Sequence, residues 1–111
     1  MTINYAEPRN EGGFDQRVHV RLTAALAERL RDAFFSLSKG VRAAMRYAVD
    51  VAPLDRWPVA NEADDLENTA IERVTVRVPP ILDENLSRVV DQESVPGQSR
   101  AIRDAARDLL A

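Results

Sequence analysis

Arg73-Val74-Thr75-Val76-Arg77-Val78-Pro79 alternates polar and apolar residues without a break. That is the period of a β-strand with one buried and one exposed face. Val74, Val76 and Val78 share one face, and Arg73, Thr75 and Arg77 share the other. The valine face is stabilised by burial, whereas a face of two arginines and a threonine needs water or an anionic partner. A near copy, Arg17-Val18-His19-Val20-Arg21-Leu22-Thr23, stands 56 residues earlier in a chain of 111. The repeat therefore divides the protein into similar halves.

Each copy is followed by two helical patterns. After the first, Thr23 is placed to cap a helix, because its hydroxyl can accept an orphan N–H of the first turn. Leu26, Leu30 and Phe34 then recur at every fourth position with Ala27 and Ala33 beside them, which predicts an amphipathic helix of about 12 residues. Ser36-Leu37-Ser38-Lys39-Gly40 interrupts it, and a second helix is expected from near Ser38. Val41, Ala44, Met45, Ala48 and Val49 form its apolar stripe, with Arg42 and Arg46 on other faces. In the second half Pro79-Pro80 suits a helix start, and Leu82, Leu86, Val89 and Val90 keep helical spacing. Glu93 to Gly97 breaks that helix, and Ile102, Ala105, Ala106, Leu109 and Leu110 mark the last one. Gly40 matches Gly97 and Met45 matches Ile102 at an interval of 57, one more than the strands. A strand–helix–helix unit is thus repeated.

The boundaries follow. Residues 1–15 carry Pro8 and Gly12-Gly13 with no periodic apolar pattern, and read as a flexible arm. Residues 16–51 form unit one, 52–71 an acidic linker with Pro53 and Pro58, and 72–111 unit two. Extended, the linker can span about 60 Å at roughly 3.3 Å per residue. Leu54 and Trp57 are apolar exceptions within it; Trp57 reads as clipped onto the folded domain, or as an anchor for a protein partner.

Composition narrows the functional classes. There is no cysteine and one histidine, which argues against disulfides, thiolate chemistry and a zinc site. No apolar run approaches the roughly 18 residues of a membrane span, and the N-terminus shows no secretory signal. A cytoplasmic protein without metal or cofactor is expected, with no membrane association. No catalytic arrangement of side chains emerges, so an enzyme is not expected. The formal charge of −3 is unevenly spread. Asp50 to Glu72 holds seven acids and one base, leaving fourteen bases and eleven acids elsewhere. Fourteen of the fifteen bases are arginine, a bias shared by GC-rich genomes and by salt-loving archaea.

One unit cannot stand alone: its strand has two open edges, and about 40 residues bury too little apolar surface. Two units answer both needs if their strands pair antiparallel and four helices cover the valine face. The fold class expected is mainly α with a two-stranded antiparallel β-ribbon. Arg17, His19, Arg21, Arg73, Thr75 and Arg77 would then project from the uncovered face.

This order of elements resembles the ribbon–helix–helix (Arc/MetJ-type) DNA-binding fold. The resemblance covers residues 16–51 and 72–111 and is carried by ERVTVRVP and GQSRAIRDAARDLL, with RVHVRLT and KGVRAAMRYAVD in the first half. The family normally assembles from two identical chains, so two units on one chain look like an intrachain pseudodimer. The resemblance implies a transcriptional regulator, most simply a repressor, whose ribbon enters the DNA major groove. By position, Arg17, His19, Arg21, Arg73, Thr75 and Arg77 would read bases. Arginine suits guanine O6 and N7, and threonine suits a base edge or a thymine methyl. The starts of the second helices would clamp phosphates, through Ser38, Lys39, Gly40, Val41 and Arg42 in unit one. Gly97, Gln98, Ser99 and Arg100, after Pro96, would do so in unit two. His19 and Thr75 occupy equivalent positions in the two units, so the half-faces differ and a perfectly palindromic half-site is not expected. One ribbon reads few base pairs, which implies self-association on adjacent sites. Two other readings stay open: an antitoxin-like protein-interaction module, and a structural pseudodimer that has lost DNA binding.

Overall fold

The two alternating stretches become the two strands, and the four 3.6-period stretches become the helices. A computed structural model describes Tyr5 and residues 10–51, 70–93, 95 and 97–111. In chain order the elements are β1 (Gln16–Thr23), α1 (Ala24–Phe34), α2 (Leu37–Val51), β2 (Ile71–Val78), α3 (Pro80–Gln92) and α4 (Gln98–Leu110). The described residues are mainly helical, with a two-stranded antiparallel sheet of β1 and β2. Nearly all of the proposed acidic linker, Trp57 included, lies outside the described residues.

The pairing sets every strand residue on a face. Val18 lies opposite Val76 and Val20 opposite Val74, while Arg17 opposes Arg77, His19 opposes Thr75 and Arg21 opposes Arg73. Val18, Val20, Leu22, Val76 and Val78 are buried and Val74 is half-buried. Full burial of such a side chain contributes about 1.5–3 kcal/mol, so a one-residue slip, which would turn the whole set to solvent, is strongly disfavoured.

The helices close over this face. Thr23 Oγ1 accepts the Leu26 amide at 3.1 Å and caps α1, which buries Leu26, Ala27, Leu30 and Phe34 but leaves Ala33 exposed. Phe35, exposed and left-handed at φ 65°, ends the helix and leaves a two-residue connection to α2. Pro79 and Pro80 begin α3, which buries Leu82, Leu86 and Val89. The heart of the core is the packing of α2 on α4, where Ala43, Ala44, Ala48, Ala101, Ala105 and Ala106 are fully buried beside Met45 and Ile102. Small side chains let these two helices approach closely.

Gly40 belongs to the same close packing. It lies inside α2, one turn from its start, where an added Cβ would stand 2.9 Å from Leu30 Cβ and 3.3 Å from Leu30 O. Alanine here gains about 1 kcal/mol of helix propensity but must push α1 aside, an overpacking cost of about 1–3 kcal/mol. Gly40→Ala is therefore expected to lower the denaturant midpoint in equilibrium unfolding, against the rise that propensity alone would give. Trimming the neighbour as well, in Gly40→Ala/Leu30→Ala, should not rescue it, because alanine at 30 keeps the Cβ and the carbonyl oxygen that the new methyl meets and adds a void.

Candidate functional site

The outward residues of the ribbon form one exposed surface: Arg17, His19, Arg21, Arg73, Thr75 and Arg77 are all exposed. Their backbones point away from the partner strand. Arg21 N donates to Ser99 Oγ at 3.2 Å, Ser99 Oγ donates to His19 O at 3.4 Å, and Arg103 Nη1 donates to Arg21 O at 2.9 Å. On the other edge Arg42 Nη1 donates to Arg77 O at 3.0 Å. These residues therefore occupy the narrow, non-hydrogen-bonded positions of the ladder, with Cα atoms about 4.5 Å apart across the strands. The same bonds occupy edge groups that would otherwise invite another strand.

The electrostatics follow from the register. Two of the three outward pairs are arginine against arginine, and like charges directly opposite are destabilising. Among the described residues no carboxylate pairs with Arg17, Arg21, Arg73 or Arg77; the nearby Glu72 is bonded to Arg31. At the centre, His19 Nδ1 and Thr75 Oγ1 are hydrogen-bonded at 3.0 Å. With Nδ1 committed, Nε2 is the ring atom left for a ligand. A concavity of about 310 Å³ opens beside this pair, lined by His19, Arg21, Arg73, Thr75 and Ser99 with Val20 and Val74. The surface is a ribbon of four exposed arginines about a polar centre.

The helix starts differ from the expected set. Ser36 begins α2: its Oγ accepts the Lys39 amide at 3.1 Å and its carbonyl accepts the Gly40 amide at 3.0 Å. The first-turn donors are thus at Leu37 and Ser38, with the Lys39 side chain exposed beside them. Gly40 and Val41 were expected to offer free amides to phosphate. They lie inside the helix and are fully buried, because the helix starts one residue before Ser38. Arg42 is half-buried rather than directed to solvent, since its guanidinium also lies 4.3 Å from the Phe14 ring centroid. Burial first, and then the charge of Arg46, lowers its pKa from the ordinary value.

At α4 the first backbone bond is Ala101 N to Gly97 O at 3.2 Å, so Gln98, Ser99 and Arg100 supply the first-turn amides. Gly97 caps them with φ 96° and ψ 162°, a region essentially reserved for glycine. Gln98 uses its side chain to hold α3, through Asp83 Oδ1 at 2.8 Å and Ser87 Oγ at 2.6 Å. The Arg100 side chain is removed from the phosphate set: it is buried and bonded to Asp104 at 2.9 Å. Asp104 also holds Arg107. Burial raises the Asp104 pKa, and the neighbouring arginines act in the opposite direction.

Sequence reasoning missed the buried pair Arg46 and Arg103, each 1 % exposed. Arg46 binds Glu11 through Nε and through Nη2 at 3.0 Å, and donates to Tyr5 O at 2.9 Å. Tyr5 stacks edge-on against Tyr47, with ring centroids 5.2 Å apart. The described part of the N-terminal arm is thus held against α2 at Tyr5, Glu11 and Phe14. The available signal was that Arg46 and Arg103 stand 57 residues apart, at matched places in the repeat. Among the described residues no cluster of three or more His, Asp or Glu could hold a metal, and no helix is long and apolar enough to cross a membrane. No protein-family model, curated protein or solved structure matches this chain.

Proposed function

We propose that this chain is a single-chain ribbon–helix–helix protein that binds double-stranded DNA sequence-specifically and acts as a transcriptional regulator, most simply a repressor. The observation that carries this reading is the outward face of β1 and β2. It has two cross-strand arginine pairs about a hydrogen-bonded His19–Thr75 pair, exposed and without carboxylate partners among the described residues. A bare ribbon of this kind suffers its own repulsion, and an anionic groove removes it. Two strands about 4.8 Å apart fit a major groove about 12 Å wide. Arginine there can donate two parallel hydrogen bonds to guanine, worth about 1–3 kcal/mol of discrimination.

The packing also supports the pseudodimer. The second helix of each half braces the strand of the other: α4 bonds the free edge of β1, and α2 bonds that of β2. Phosphate would be taken by the first turns at Leu37, Ser38 and Lys39 on one side and at Gln98 and Ser99 on the other. Adjacent copies along the duplex would extend a recognition site that one ribbon leaves short.

Selection of duplexes from a random pool, followed by titration at several salt concentrations, tests the reading. A converged motif is expected, with log K falling against log salt by about 0.9 per phosphate contact. Equal affinity for unrelated sequences would refute it. Lys39→Ala should weaken binding uniformly across sequences and reduce the salt slope by about 1, which marks a phosphate contact rather than a base contact.

A further inference from the structure

We infer that the ribbon binds its site in one fixed orientation, so that the target is a polar, non-palindromic sequence with a left and a right end. This rests on the ribbon-reading assignment above. A ribbon built from two identical chains has a two-fold axis through its centre, so the central residue lies opposite its own copy and turning the protein end for end changes nothing. Here the centre is His19 opposite Thr75, and the two are bonded to each other. The imidazole Nε2 therefore belongs to β1 alone, and β2 presents no second ring. Rotation about the ribbon's own axis of approach would bring a hydroxyl to the base edge that an imidazole had met.

The two ends differ as well. At the Arg21–Arg73 end the surface is hollow, and Ser99 and the buried Arg103 of α4 seal the strand edge. Four residues away, about 13 Å along the strand at about 3.3 Å each, the Arg17–Arg77 end is sealed by Arg42 with Phe14 against it. The adjoining helix start carries exposed Lys39 at α2, whereas Gln98 at α4 is tied back to α3. Centre, flank shape and flank charge therefore all distinguish the ends. Because both halves belong to one chain, each ribbon is asymmetric in itself, however neighbouring copies are arranged. A reversed complex mismatches at least the central base pair, which corresponds to a preference of about 5-fold to 150-fold for one orientation.

Tethered cleavage reads orientation directly. The chain has no cysteine, so a single introduced thiol carries an iron–EDTA reagent to one place only. Ala33→Cys, on the exposed end of α1, and Gln92→Cys, at the exposed end of α3, lie beside the starts of α2 and α4 and outside the reading face. On a duplex carrying one selected site, each variant is expected to cut one flank at least about 5-fold more than the other. The two variants should cut opposite flanks. Equal cutting of both flanks by each variant would overturn the fixed orientation while leaving sequence-specific binding intact. Absence of a localised cleavage pattern on every selected duplex, with wild type giving no footprint either, would remove the DNA reading itself and this inference with it.

Discussion

Replacing Arg21 and Arg77 with alanine should weaken binding to the selected duplex by about thirtyfold to about 10⁴-fold, at about 1–3 kcal/mol for each arginine. The two lie on different strands and at opposite ends of the ribbon. At about 13 Å of separation along the strand their effects should add, since sites more than about 10 Å apart rarely couple. The same variant should be no less stable than wild type. Each substitution removes one member of a like-charge pair, Arg21 opposite Arg73 and Arg77 opposite Arg17, a relief of about 0.2–1 kcal/mol. The informative result is the combination: affinity falls while the thermal midpoint holds or rises. Unchanged affinity would exclude these arginines from the interface, and a lowered midpoint would make their role structural.

The largest loss of stability is expected from Arg46→Ala. Its guanidinium is 1 % exposed and is held by the Glu11 carboxylate and the Tyr5 carbonyl. Deleting one member of a buried pair leaves the other charge uncompensated, at a cost of about 3–5 kcal/mol. That is a large part of the 5–15 kcal/mol, roughly, that holds an ordinary domain together. Urea unfolding followed by far-ultraviolet circular dichroism measures it. Replacing both charges, in Arg46→Met/Glu11→Leu, should recover most of the loss, because a well-packed apolar pair of similar volume can match a buried ion pair. A cost below about 1 kcal/mol for Arg46→Ala would mean that the pair contributes as a solvent-screened surface bridge does.

Strands and helices were legible because the valine and leucine spacing is dictated by the geometry that buries them. Val18, Val20, Val76 and Val78 could lie on one face only in a strand, and Thr23 announced the first helix by its hydroxyl. The pairing of β1 with β2, and the grouping of the six outward residues, followed from having a single partner available for each open edge. Helix starts were harder to place. Gly40 and Gly97 match in sequence, yet one is buried against Leu30 within α2 while the other stands exposed outside α4 with a positive φ. The same missing Cβ serves interhelical contact in the first case and backbone conformation in the second, and a repeat interval cannot distinguish them. Buried charge was illegible for a related reason. Arg46 and Arg100 carry charges that ordinarily face solvent, but Glu11 covers the first and Asp104, one turn on, covers the second. Only the fold brings Glu11 within reach of Arg46.

Pairing β1 with β2 inside one molecule also changes how the ribbon behaves on dilution. Strands on separate chains must find each other, and their reading head falls apart once the concentration drops below the dissociation constant of the dimer. Here the meeting is a loop closure between Thr23 and Ile71. Its entropy grows slowly with length, by about 0.6 kcal/mol for each doubling of the loop. The melting temperature should therefore be independent of protein concentration, and the ribbon should stay assembled however far the protein is diluted.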